Sequence, residues 1–486
     1  MIEVTAHKKL NERWWSNITE SNLLFIDPRD DAERYPPNLI GMALAFAESV
    51  KGRHVFVEDM GKSFYYDGTR WRLDTSETHL RKTVMEFALY LNELIGQTSS
   101  AESDDPYKKM ADKLHSPSSW SSLIKAFRTC NFIDVSVLDN NGVHRGDLGL
   151  FNCQNGTLDL HTMEFREHQY TDFLTKIADV TYIEDAICQD WVTFIDEITC
   201  GDKDLARYLQ KAMGYALTAD TCLECMFFLY GPRTRNGKST FLDTLLRLLG
   251  DYAKSVQPAT IAKRDNSDGS RASSDIARLV GSRLVSISEP PAGFNLDGAR
   301  IKQITGNDKI TSRYLFKEFF EYIPNFKMFV NTNHLPTVSD DTLFASGRIK
   351  IIPFNNHFDE TRQNKGLKHL FRQTENLSGI LNWLIEGLKL YKEEGLIEPQ
   401  IVLEAIEDYR RSSDTLGLFF SSCVEECDSS LRTKRAKFYN AYTAWCGKNG
   451  MGAMPQTKFY TALKRKCRTV KDRTLGFCVE GHKLVG

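Results

Sequence analysis

Apolar positions change their period several times along this chain. Between residues 55 and 74 they alternate with polar ones around Phe64, Tyr65 and Tyr66, with an Asp67-Gly68 turn and Trp71 beyond it, which predicts a β-hairpin. A second hairpin is expected over residues 150–160, turning at Asn155-Gly156. Between the two, Leu80, Val84, Phe87, Ala88 and Leu91 recur at helical spacing, and residues 120–127 suit another helix. From 189 to 217 the pattern is helical again, with Leu205, Tyr208, Leu209, Ala212 and Met213 on one face. Compact apolar runs then follow at 226–230, 283–288, 327–330 and 349–353, with an amphipathic stretch over 239–249 after the first. Buried strands alternating with helices predict an α/β fold with a parallel sheet.

A chain of 486 residues with 41% hydrophobic and 26% charged content is too apolar for disorder and long enough for about three domains. The pattern divides it into an N-terminal α+β domain (1–185), a helical collar (186–220), an α/β core (221–398) and a terminal module (399–486). The longest apolar runs, at 41–50 and 225–230, fall far short of the roughly 18 residues a membrane span needs. Residues 1–15 hold five charges and no signal-peptide core, so a cytoplasmic protein with no membrane contact is expected. Its eleven cysteines then read as free thiols, and the isolated Cys222/Cys225 pair as the entry to a buried strand rather than a zinc site.

Charge changes the picture more than composition does. Between Ser430 and Gly486, thirteen Lys and Arg face only Asp472 and Glu480, an excess of eleven that leaves −13 on everything before it in a chain of net charge −2. A basic terminal module on an acidic body suggests a polyanionic partner, of which nucleic acid is the commonest. A solvated charged face is the plainer alternative.

The central motif runs from Gly231 through Asn236, Gly237, Lys238, Ser239 and Thr240, between a predicted strand and a predicted helix. In such a loop backbone N–H groups surround phosphates, Lys238 reaches the β and γ phosphates, and the Ser239 hydroxyl faces Mg²⁺. Five residues rather than four separate Gly231 from Gly237, so Gly231 need not be the first glycine of the loop. Glu289 closes the apolar run 284–288 ahead of Pro290 and Pro291, where a carboxylate could serve the metal and the attacking water. Asn333 closes the run at 327–330 as a polar sensor of the γ phosphate, or as the cap of a turn before His334-Leu335-Pro336.

In order and spacing these residues resemble superfamily 3 helicases, especially the poxvirus and satellite-phage type of primase-helicase. The resemblance is carried by Asp67 to Trp71, Asn155 to Leu160, Gly214 to Leu217, Asn236 to Phe241, Ala277 to Leu279, Ser288-Glu289, Ile301 to Asp308, Arg313, Asn333 to Pro336 and Ile351 to Phe354. It implies an AAA+-like P-loop NTPase core using ATP and Mg²⁺, with Glu289 as catalytic carboxylate and Asn333 as sensor. It also implies a trans-acting Arg348 finger, although Gly347 stands where the family has a second Arg. Residues 302–322 would form a hairpin projecting into a ring channel, with Arg313 on its first arm and Lys317 near its tip. The terminal module would be a winged helix, its second helix carrying Lys458, Lys464, Arg465 and Lys466 and its wing spanning 473–484 with Arg473.

The expected function is an ATP-dependent, ring-forming and hexameric DNA helicase that moves 3′ to 5′ on single-stranded DNA, engages forked DNA and replicates a virus, phage or mobile element. The alternative is an origin-binding initiator that ATP switches between assembly states without processive unwinding. No primer synthesis is expected, since Asp27, Asp30 and Asp31 are a poor substitute for a primase metal site. A separate primase or polymerase would then be a partner.

Overall fold

A computed structural model of the protein describes residues 26–98, 104–140, 149–263, 274–291, 293–313, 320–338, 340–449 and 451–485. These form two compact units. The first is drawn from the chain up to Asn140 together with His168–Thr175; the second takes 149–167 and everything from Lys176 onward.

In the first unit the apolar run at 41–50 lies in the core. It forms α1 (Leu39–Ser49), started by the Asn38 side chain, which accepts from the N–H groups of Ile40 and Gly41. The predicted hairpin extends to a meander of β1 (His54–Val57), β2 (Lys62–Tyr66) and β3 (Trp71–Leu73). Trp71 is held there by stacking on Phe173, with ring centroids 5.7 Å apart. Both expected helices are present as α2 (Thr78–Thr98) and, after α3 (Pro106–Leu114), α4 (Pro117–Cys130). A short β4 (Phe132–Ile133) then pairs parallel to β1. Phe46 of α1 meets Phe87 of α2 and Phe127 of α4 at 5.2 and 5.1 Å, which makes the aromatic centre of this core.

The second unit opens with an antiparallel sheet of β5 (Leu150–Cys153), β6 (Gly156–Asp159) and β7 (Phe165–Arg166); the first two form the predicted hairpin, but it turns at Gln154-Asn155, one residue earlier than expected, because Gly156 already pairs with Cys153. The helical stretch at 189–217 is two helices, α5 (Gln189–Ile198) and α6 (Lys203–Leu217). They break where Cys200 and Gly201 both take positive φ. Next come β8 (Met226–Tyr230), α7 (Lys238–Leu249), β9 (Ala253–Val256), β10 (Leu284–Ser288), α8 (Gly298–Thr305), β11 (Ile310–Ser312), β12 (Phe320–Tyr322), β13 (Lys327–Thr332) and β14 (Ile349–Pro353). Five of these strands make one wholly parallel sheet in the order β14-β8-β13-β10-β9. Four were legible as apolar runs; β9, an edge strand that exposes Ser255 and half-exposes Lys254, was not.

Helix α9 (Thr374–Glu394) crosses α6 so closely that glycine is required on both sides. A Cβ on Gly214 would lie 2.1 Å from the Leu388 nitrogen, and one on Gly387 2.1 Å from the Gln210 carbonyl. The C-terminal carbonyls of α6 would be orphaned in this setting. Two buried cations satisfy them: Arg283 Nη1 donates to Leu217 O at 2.7 Å, and Lys327 Nζ donates to the carbonyls of Thr218 and, at 3.1 Å, Asp220.

After α10 (Gln400–Ser413), the terminal region packs α11 (Thr415–Cys423), α12 (Arg435–Lys448) and α13 (Gln456–Lys466) around Phe419, Phe438, Tyr442 and Phe459. Short strands β15 (Val424–Glu426), β16 (Arg432–Lys434), β17 (Thr469–Asp472), β18 (Gly476–Glu480) and β19 (His482–Leu484) complete it. The hairpin expected over 473–484 begins earlier. Its arms are β17 and β18, Arg473 sits in the turn, and β19 leaves to pair with β15. Asp472 sets that turn, since its Oδ1 accepts from the N–H groups of Thr474 and Leu475 at 2.8 and 3.0 Å.

Candidate phosphate-binding site

Strand β8 is buried along nearly its whole length and delivers the chain to the carboxyl edge of the parallel sheet, where Gly231 begins a loop that ends in α7. Glycine is demanded at both ends of that loop. A Cβ on Gly231 would come within 2.2 Å of Asn236 Nδ2 and 2.5 Å of Phe354 O. Gly237, the N-cap of α7, has φ +88°, and a Cβ there would meet Ile198 of α5 at 2.4 Å. Helix α5 is fixed behind the loop by Trp191, whose ring stacks on Phe241 of α7 at 5.5 Å. The additional loop residue is accommodated inward: Asn236 is buried, donating to Arg233 O at 2.7 Å and accepting from Lys238 at 3.1 Å.

Lys238 is only 4% exposed. Its ammonium donates to Gly231 O at 3.2 Å, Asn236 Oδ1 at 3.1 Å and Asn333 Oδ1 at 2.8 Å, so three neutral oxygens, two from the loop and one from the end of β13, converge on one cation. Burial pushes its pKa down to about 8, and the neighbouring Glu289 charge pulls the other way. A lysine that has lost hydration and faces no carboxylate within hydrogen-bond reach is poised to receive an anion. The predicted residues Lys238 and Asn333 are therefore in direct contact.

Glu289 leaves β10 in the left-handed region at φ +49°, its N–H donating to Asn331 O at 2.8 Å. A strained backbone at the end of a parallel strand, beside a buried lysine, holds an exposed carboxylate at the sheet edge. Ser239 and Thr240 occupy the first turn of α7, whose N-terminus points partial positive charge at the same space. Asn331, which the sequence reading passed over, contributes as well: its Nδ2 donates to Ser239 Oγ at 3.4 Å. The available signal was a polar residue one alternation before Asn333, directly after the apolar run Met328-Phe329-Val330. The hydroxyl of Ser239, the carboxylate of Glu289 and the carboxamide of Asn331 are hard oxygen donors, and one carboxylate among them suits Mg²⁺ held mainly by a nucleotide's phosphates.

A cleft of about 370 Å³ adjoins the loop, between Phe194 and Glu197 of α5, Arg235 and Thr240, and the segment bearing Phe358 and Arg362. That segment is tied to the loop by Phe358 N–H donating to Arg235 O at 2.8 Å and by His357 Nδ1 meeting Thr234 O at 2.8 Å.

Arg348 lies at the opposite, amino end of β14, about 17 Å of strand away from the loop. Its guanidinium pairs with Glu224 at 2.6 Å and donates to Thr305 Oγ1 at 2.7 Å. It cannot join the Lys238 cluster of its own chain. The expected channel hairpin has antiparallel arms, β11 and β12, in the register Ile310↔Tyr322. Arg313 follows the first arm, whereas Lys317 lies outside the described residues. Tyr322 belongs to the core, its hydroxyl donating to Ile276 O at 2.7 Å.

In the terminal module Lys458, Lys464, Arg465, Lys466 and Arg473 are all exposed. Lys458 and Arg465 stand seven residues apart on α13, hence on one face. Part of the basic excess is spent internally: Lys466 pairs with Asp414 at 3.4 Å, Arg432 with Asp472 at 2.9 Å, Arg468 with Glu480 at 3.3 Å, and Arg435 lies over Tyr460 at 3.7 Å. None of the eleven cysteines forms a disulfide, and among the described residues no group of three His, Cys, Asp or Glu could hold a metal. Among the same residues no helix is long and apolar enough to cross a membrane.

A mixed α/β chain with a lysine-bearing loop at the carboxyl edge of a parallel sheet defines the class. Comparison with known families gives three matches in chain order: residues 43–200 to "D5 N terminal like", 229–348 to a "Family of unknown function", and 411–476 to "Poxvirus D5 protein-like". The chain is 27% identical over 329 residues, 64% of its own length, to "Putative helicase L207/L206" of Acanthamoeba polyphaga mimivirus. It is 22% identical over 456 residues, 80% of its length, to "Putative helicase 121R" of Invertebrate iridescent virus 3. It spans 34% and 48% of those two relatives. Among solved structures, the C-terminal region of NrS-1 aligns with a TM-score of 0.44 at 9% identity, over 89% of this chain and 97% of that one. In these stretches the chain is similar to D5-like helicases of large DNA viruses.

Proposed function

We propose that this protein is an ATP-driven DNA helicase whose second unit contains an AAA+-like core and ends in a winged helix. The observation that carries the reading is the convergence of Gly231, Asn236 and Asn333 on the buried ammonium of Lys238 at the N-terminus of α7. Phosphates entering there would exchange the neutral oxygens around Lys238 for charged ones and gain the α7 N-terminus. Glu289 would orient and deprotonate the attacking water, Asn333 would report on the γ phosphate through Lys238, and the cleft beside Phe194 and Phe358 would take the nucleoside. Mg²⁺, when bound with the nucleotide, would neutralise charge developing on the phosphoryl oxygens.

A trans-acting Arg348 and a hexameric ring rest on family resemblance; within its own chain Arg348 is engaged by Glu224 and Thr305, so the role would require it to exchange those partners. Arg313, which follows β11, and by family resemblance Lys317 would hold single-stranded DNA in the channel and move it 3′ to 5′. Lys458, Lys464, Arg465 and Arg473 would meet duplex or forked DNA, with priming left to a separate primase or polymerase. Replication of a virus, phage or mobile element is the setting that the viral relatives suggest. Strand displacement on a forked substrate tests the reading. The wild type is expected to displace a long duplex with ATP while Lys238→Ala neither displaces nor hydrolyses. ATP-dependent DNA binding without displacement would instead identify a switch that marks or melts an origin.

A further inference from the structure

Phosphate-loop enzymes commonly hold Mg²⁺ between the loop hydroxyl and a carboxylate at the end of a neighbouring strand. In this chain the residue before Glu289 is Ser288, so that strand brings one acid to the site where two could stand. The neighbouring strand answers. Asn331 of β13 pairs in register with Ser288 of β10, and residues in register on parallel strands share a face. On that face Asn331 is 6% exposed, and its carboxamide reaches the hydroxyl of Ser239 at 3.4 Å. Its backbone carbonyl also holds the N–H of Glu289 at 2.8 Å. One residue thus touches both the loop hydroxyl and the segment bearing the carboxylate. Its Nδ2 is spent on Ser239, while its Oδ1 accepts no hydrogen bond among the described residues and remains available to a donor in the site.

We propose that Asn331 is a positioning residue for the divalent cation, its Oδ1 accepting a hydrogen bond from a metal-bound water in the place where a second carboxylate would otherwise stand. The proposal rests on the nucleotide reading above. A neutral oxygen there leaves the site with one formal negative charge, so the cation binds with the nucleotide and not before it. It also keeps a second anion away from the incoming phosphates, which Lys238 alone must attract.

The test is a Mg²⁺ titration of the full chain with a fluorescent ATP analogue, read as analogue affinity with and without EDTA. Loss of an outer-shell partner typically weakens metal binding 10- to 100-fold. Asn331→Ala is accordingly expected to raise the Mg²⁺ midpoint about tenfold or more, while analogue affinity in EDTA stays within about twofold of wild type, which also certifies the fold. Asn331→Asp, of nearly unchanged shape, is expected to lower the midpoint and to weaken analogue binding in EDTA. A wild-type midpoint in Asn331→Ala beside a raised one in Ser239→Ala would overturn the proposal, as would a raised midpoint in Asn331→Asp. Analogue affinity indifferent to both Lys238→Ala and Ser239→Ala, with or without Mg²⁺, would bring down the nucleotide reading itself and this inference with it.

Discussion

The two ends of the five-stranded sheet each gather basic side chains, yet they treat them differently. At the amino edge Lys327 and Arg283 are engaged by main-chain carbonyls at and just after the end of α6. At the carboxyl edge Lys238 is as deeply buried as these two, but two of its three acceptors are side-chain amides, those of Asn236 and Asn333. A cation whose partners belong to the backbone fastens structure; one held by exchangeable amides keeps a place for a ligand. Burial alone does not distinguish the two, since it depresses both Lys327, to about 7, and Lys238, to about 8.

Breaking the carboxyl edge has the largest expected effect. Glu289→Gln keeps the shape of the site and is expected to cut ATP turnover by about 10²- to 10⁴-fold while fluorescent-nucleotide binding persists. Equal loss of binding and turnover would contradict its assignment to the chemistry. At the amino edge, Lys327→Met leaves the carbonyls of Thr218 and Asp220 without their donor and is expected to destabilise the second unit by about 2–4 kcal/mol. Calorimetry should show a lowered transition with nucleotide affinity unchanged, and altered affinity would erase the contrast between the edges.

Proton linkage sharpens the contrast further. With its pKa lowered from 10.5 to about 8, Lys238 in the empty site is protonated below pH 8 and loses its proton above it. Bound phosphates favour the charged form, so nucleotide affinity is expected to be flat below pH 8 and to fall by up to about tenfold per pH unit above it. Calorimetry in two buffers of different ionisation enthalpy should register proton uptake on binding at pH 9, and none at pH 7. The smallest effect belongs to the terminal module: Arg465→Ala is expected to reduce the salt dependence of DNA binding by about one unit of log–log slope. Lys466→Ala, already paired with Asp414, should change it less.

Much of this was legible because chemistry at a sheet edge leaves a short, local signature. The loop from Asn236 to Thr240 and the strand ends at Glu289 and Asn333 are each a polar group terminating an apolar run, and all converge on one edge. Strand β9 escaped because its half-exposed Lys254 and exposed Ser255 blur the period of an edge strand. Helix α1 resembled a short apolar run because it is buried nearly all round and shows no polar face. Asn331 was hidden for another reason: its role depends on register with Ser288, and strand register is a property of two distant segments that neither one displays. The hairpin at 469–480 was misplaced by a few residues because Arg473 was taken for strand when Asp472 makes it turn.

The path of the chain between the two units has a practical consequence. It leaves the first unit at Asn140, supplies β5–β7 to the second, returns for His168–Thr175 and departs again at Lys176. No single cut therefore separates them cleanly: cleavage after Asn140 strips Phe173 from beneath Trp71, and cleavage after Thr175 carries the β5–β7 sheet away from its own core. Limited proteolysis or gene dissection will yield intact halves only if that eight-residue excursion is re-engineered.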